Sequence, residues 1–205
     1  MNEKFFNLSE EKQLSIINAG YRVFAENSYR KSPVSEIAAE AGISKSLLFH
    51  YFRNKQELYM YLLEYAAKTT YTYLSDYKCY EQQDIFEMML RGLTAKINMM
   101  KKYPDITRFT LRAYYETDPE VIDDIKALIG RTASFEVNSN KMKIDPSQFR
   151  EGLDLEMMYN DMYYASEGYL WENTRSGIID TDKAERDFRR MINFWREQYL
   201  RKEGE

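Results

Sequence analysis

Apolar positions return every three to four residues from the amino terminus onward. Leu14, Ile17, Tyr21 and Phe24 share one face of a helix that Ser9 caps and that ends near Asn27. Ser32 followed by Pro33 reads as an N-cap with proline at the first helical position, opening a short helix through Val34, Ile37, Ala38 and Ala41 that stops at Gly42. Ser44 then caps a third helix running from Lys45 to about Phe52, so that only a Gly-Ile turn separates two short helices. Asn54-Lys55-Gln56-Glu57 is the capping start of a long fourth helix, with Leu58, Tyr61, Leu62 and Tyr65 along its apolar face.

The same punctuation predicts helices over 84–102, 104–115 and 118 to about 135, a short helical turn at Asp145-Pro146, and two long amphipathic helices over 154–175 and 182–201, parted by Ser176-Gly177. The polar stretch 138–145 is expected to be a mobile loop. No alternating run is bounded by a hairpin dipeptide, and no internal repeat is present. The fold class is therefore all-α, with about nine helices: a three-helix helix-turn-helix domain over 1–54 and a helical domain over 55–205.

Eight glycines and four prolines in 205 residues suit a helical chain. The single cysteine, Cys79, excludes an intramolecular disulfide, no leader-like segment opens the chain, and no run of about eighteen apolar residues suggests a membrane span. A cytoplasmic location is expected. The net charge of −4 argues against general adhesion to nucleic acid, yet between Ser28 and Lys55 five basic residues (Arg30, Lys31, Lys45, Arg53, Lys55) face two acidic ones (Glu36, Glu40). A local basic patch on an acidic body holds phosphates without broad electrostatic stickiness.

Leu48 and Phe52, four residues apart, are expected to face a core built on Ile37, Ala38 and Ala41. Lys45, Ser46, Leu47, His50 and Tyr51 then stand on the outward side of the third helix, where donors, an acceptor and an apolar group can reach base edges and phosphates. The pattern Ile-Ala-x-x-Ala-Gly-Ile-Ser, followed by Leu-Phe-x-Tyr-Phe-x-x-Lys-x-x-Leu, resembles the TetR family of bacterial regulators over about residues 9 to 65. That resemblance implies a recognition helix over 45–51 and a phosphate contact from Lys55. Ser32, Ser35 and Ser44 complete the expected DNA-binding set. Three positions depart from the usual pattern: Ser28 where a glycine commonly ends the first helix, Ser46 where glycine or proline is common, and Phe49 where a tyrosine hydroxyl often meets phosphate.

The resemblance also implies a ligand-binding and dimerisation body, and a ligand-responsive repressor that binds a palindromic double-stranded DNA operator and is released by a small hydrophobic or aromatic molecule. Met88, Met99, Phe109, Tyr114, Tyr163, Glu167 and Trp171 are candidates for lining that ligand site, with Tyr163, Glu167 and Trp171 on one helical face; such residues at helical spacing equally form an ordinary core. Leu155, Met158, Met162, Ser166 and Tyr169, with Phe188, Met191, Ile192, Trp195 and Tyr199, form stripes on the last two long helices. These stripes either pair with a second copy to make a homodimer or bury themselves within the same chain. No cofactor, metal or catalytic motif is expected, and the competing reading is a ligand-independent architectural DNA-binding protein of the same fold.

Overall fold

The computed structural model describes residues 3–131, 145–175 and 177–201. The stretch 132–144, which holds most of the expected polar loop and the end of the helix projected to residue 135, lies outside the described residues, as does Ser176. Within them the chain forms nine α-helices, three short 3-10 turns and no sheet, apart from one isolated bridge between Phe149 and Leu200.

The first compact unit comprises 1–69 and 103–129. It contains α1 (Glu10–Glu26), α2 (Val34–Glu40), α3 (Lys45–Tyr51), most of α4 (Lys55–Asp76), α6 (Ile106–Tyr114) and α7 (Ile122–Gly130), preceded by a 3-10 turn at Glu3–Phe5. Local chemistry sets the starts. Ser9 Oγ accepts from Lys12 N–H at 3.4 Å, Ser44 Oγ from Leu47 N–H at 3.1 Å, and Asn54 Oδ1 from Glu57 N–H at 2.8 Å, each satisfying an amide left over by the first helical turn. Gly42 closes α2 with φ of +69°, a conformation in which a β-carbon is strained. Gly20 serves a close approach instead: a β-carbon there would stand 2.5 Å from Leu62 Cδ1, so α1 crosses α4 with no room for a side chain.

Ser32 departs from expectation. The helix begins at Val34 with Pro33 as its flanking residue, and the buried Ser32 donates its hydroxyl to the carbonyls of Val23 and Ser28 at 3.3 and 3.0 Å. It ties the α1–α2 turn together and does not cap α2.

The core of this unit is aromatic. Phe24, Tyr29, Tyr59 and Phe109 interlock, with Phe24 and Phe109 each about 5 Å from Tyr59 and edge-on to it, and Tyr21 lies 5.2 Å from Phe109. Tyr21 donates its hydroxyl to the Leu62 carbonyl at 3.2 Å, which gives the buried phenol its partner.

The second unit comprises 70–102 and 130–205. Its described elements are the end of α4, a 3-10 turn at Cys79–Glu81, α5 (Ile85–Lys102), a 3-10 turn at Pro146–Gln148, α8 (Leu155–Thr174) and α9 (Thr181–Tyr199). Asp154 and Asp180 cap the last two helices by accepting from Met157 and Lys183 N–H at 3.0 and 2.9 Å. The stripes read from sequence on these helices turn inward: Met158, Met162, Ile192 and Trp195 are buried within the chain. Tyr169 packs edge-on against Phe188 at 4.9 Å and donates to Asp187 at 2.8 Å, and Tyr199 donates to Asp161 at 2.8 Å. Leu155, Ser166, Tyr169, Phe188, Met191 and Tyr199 of the same stripes are half-buried.

Candidate nucleic-acid interface

α3 is short, and its two faces differ sharply. Leu48 and Phe52 are fully buried, as their spacing requires, while Lys45, Ser46, Leu47, Phe49 and His50 are exposed together with Ser44. Leu47 and Phe49 expose 37% and 36% of their surface, unusual for large apolar groups on a seven-residue helix. Lys45 Nζ lies 5.8 Å from the Phe49 ring, and the hydroxyls of Ser44 and Ser46 are 2.9 Å apart. The surface thus offers a cation, hydroxyl donors and acceptors, an imidazole and two apolar groups on one helix. Ser35, on α2, is likewise exposed.

Tyr51 was expected beside them and is not there. It is buried at 7% exposure, with its ring 6.0 Å from Phe5. Phe5 is the residue that sequence reasoning missed: fully buried, it also meets Phe52 at 5.0 Å and Tyr61 at 5.3 Å, so the amino-terminal turn supports the inner side of α3. The adjacent Phe5-Phe6 pair ahead of the Ser9 cap was the available signal.

Lys55 is positioned differently from the simple phosphate cradle expected at the start of α4. Its Nζ donates to the Arg30 carbonyl at 3.2 Å and lies 4.9 Å from the Tyr29 ring centre. Burial lowers its pKa from the usual lysine value, with the carboxylates of Glu120, Asp118 and Glu116 acting in the opposite direction. These acids belong to the turn between α6 and α7. Buried Glu116 accepts from Tyr29 N–H at 2.7 Å, Thr117 N–H at 2.9 Å and Asp118 N–H at 3.0 Å, and Gln56 donates to the Glu120 carbonyl at 2.8 Å. Glu116 and Asp118 are buried connectors to the α1–α2 turn.

The seven ligand-site candidates divide between the two units. Phe109, fully buried among Tyr21, Phe24 and Tyr59, is core of the first unit, which corrects its assignment to a ligand site. Tyr114 belongs to the same unit and is exposed, edge-on to Tyr115 at 5.1 Å. The other five belong to the second unit. Met99 is buried and its sulfur accepts from Thr70 Oγ1 at 3.5 Å; Met88 is half-buried; Tyr163 stacks on Tyr159 with centroids 6.4 Å apart; Trp171 is exposed. Partial burial raises the Glu167 pKa above the ordinary carboxyl range. Among the described residues, no group of three or more His, Cys, Asp or Glu side chains is arranged to hold a metal ion, and no helix is long and apolar enough to cross a membrane.

The comparisons agree with this geometry. The family model for bacterial regulatory proteins of the tetR family matches residues 16–62, which span α1 to α4. Over 53 residues the chain is 40% identical to the fatty acid metabolism regulator protein of Bacillus subtilis, a match covering 26% of this chain and 27% of that protein. The matches to curated relatives thus span about a quarter of those proteins' length. Solved structures extend the fold likeness to nearly the whole chain. A TetR family transcriptional regulator from Chloroflexus aurantiacus superposes with a TM-score of 0.67 at 20% identity, covering 98% of this chain and 99% of that one. The fatty acid degradation regulator FadR from Bacillus halodurans gives 0.60 at 17% identity, covering 87% and 96%. A helix-turn-helix that buries Leu48 and Phe52 and exposes Lys45, Ser46, Leu47, Phe49 and His50 therefore lies in the segment matched by the tetR family model, on an all-helical fold like that of solved TetR family regulators.

Proposed function

We propose that the chain is a ligand-responsive transcriptional repressor that works in the cytoplasm as a homodimer on a palindromic operator and has no catalytic role. The observation that carries this reading is the exposed side of α3. Ser44, Lys45, Ser46, Leu47 and His50 enter the major groove, with Ser35 at the phosphate rim. Division by role follows the sequence reading: residues 1–54 make the DNA contacts and 55–205 carry dimerisation and ligand response.

The dimer uses the outward faces of α8 and α9. Met157 and Tyr164 lie seven residues apart on α8, 65% and 64% exposed, and Phe194 on α9 is 58% exposed. A β-carbon at Gly168, on the same side of α8, would meet nothing within 4 Å, so close approach of a second helix is unobstructed there. The ligand site belongs to the second unit, with Met88, Met99, Tyr163, Glu167 and Trp171 as its candidate residues. Relatives named for fatty acid metabolism and degradation favour a ligand with an acyl chain. Ligand binding favours a spacing of the two heads that no longer fits the operator, and it must prefer that state by a few kcal/mol to release DNA.

Pull-down of genomic fragments by the purified protein, followed by footprinting, tests the reading. A protected palindrome supports it. Weak binding everywhere with a steep salt slope points to an architectural protein instead. On an operator so found, Lys45→Ala is expected to weaken binding about tenfold without altering oligomeric state, and unchanged affinity would remove α3 from the interface.

A further inference from the structure

Arg30 and Lys55 are neighbours at one edge of the head, and their charges point to different uses. Lys55 turns inward to the Arg30 carbonyl and the Tyr29 ring. Arg30 extends into solvent with 77% of its side chain exposed, held only through Nε, which donates to Asp118 Oδ2 at 3.0 Å. Its two terminal nitrogens make no hydrogen bond among the described residues, so most of the guanidinium fork is uncommitted. Asp118 is the fixed partner: it is buried, and its other oxygen accepts from Glu120 N–H at 3.0 Å.

The arginine side of this ion pair is open to solvent, and a guanidinium exchanges carboxylate oxygens for phosphate oxygens with little change in geometry. We propose that Arg30 is a DNA-backbone contact of the head, held ready by Asp118 in the free protein and transferred to a phosphate when duplex binds. The proposal rests on the regulator reading above and adds to it a cation that the helix-turn-helix pattern does not mark. Asp118 is then a positioning residue that sets both where the guanidinium waits and how much attraction the phosphate must replace.

Because a backbone contact is independent of base sequence, a short duplex of arbitrary sequence serves as probe, with binding to the full chain followed by fluorescence anisotropy across a salt series. Arg30→Gln is expected to weaken binding about three- to tenfold and to reduce the slope of log affinity against log salt by about 0.9, the share of one phosphate contact. Arg30→Lys should retain most of the slope. Asp118→Asn should tighten binding a few-fold, and that gain should vanish when Arg30→Gln is also present. A wild-type protein that binds duplex while Arg30→Gln keeps the full slope overturns this proposal and leaves the regulator reading standing. A wild-type protein that binds no duplex overturns both.

Discussion

The rings between α1, α4 and α6 of the first unit are enclosed, whereas the last two helices of the second unit keep large apolar groups exposed on one side. Phe24, Tyr59 and Phe109 are each at most 2% exposed, while Met157, Tyr164 and Phe194 expose more than half of their surface. Both regions are rich in large apolar side chains, so composition does not separate them. The difference is whether the partner for each ring comes from the same chain. Rings that find partners between α1, α4 and α6 form a core, and the exposed rings of α8 and α9 are the ones that the proposed dimer would cover.

Four substitutions probe this contrast. Phe109→Ala should cost about 3–5 kcal/mol in urea-induced unfolding, since it removes a fully buried ring from the aromatic cluster; a loss below about 1 kcal/mol would show that the cluster is not a close-packed core. Tyr164→Glu should leave each protomer folded but weaken self-association at least about tenfold, read by sedimentation. An unchanged mass distribution would take the outer face of α8 out of the dimer. Ser44→Ala removes the cap of α3 and should lower stability by about 1 kcal/mol, visible as a drop in melting temperature.

Glu167→Gln has the smallest expected effect. Burial raises the Glu167 pKa, so the folded chain holds that proton to a higher pH than the unfolded chain does. Stability is then lost as pH rises from the ordinary glutamate value through the raised one. The glutamine variant should melt no lower than wild type at neutral pH, with any advantage gone at acid pH. A lower melting temperature at pH 7 would reveal a charged partner for this carboxylate.

The helix-turn-helix was legible because its signals are local. Caps at Ser9, Ser44 and Asn54, the turn at Gly42 and the spacing of Leu48 and Phe52 each depend on neighbours within a few residues, and all agree with the structure. The misreadings occurred where burial is set by distant residues. Tyr51 has outward spacing on α3 but is covered by Phe5, forty-six positions earlier, and Ser32 has the composition of a cap but donates to the Ser28 and Val23 carbonyls instead. On α8 the difficulty was a surplus of signal. Met158 and Met162 lie on one face, Met157 and Tyr164 on another, and periodicity cannot choose between two apolar stripes when only one faces the chain's own core. The candidate ligand residues were harder still, because a ring suited to lining a site is equally suited to packing, as Phe109 demonstrates.

The ties from α6 and the turn after it to α1 and α4 bear on how such a protein can be recombined. A chimera that joins residues 1–54 to a foreign body would discard Tyr59 and Phe109 from the ring cluster and Glu116 from the Tyr29 amide, leaving apolar surface and an orphan donor at the junction. On the proposed reading of α3, exchange of DNA specificity is therefore better made by changing its exposed residues in place. A transplanted head would need residues 103–129 as well, a discontinuous graft whose two pieces meet in space and not along the chain.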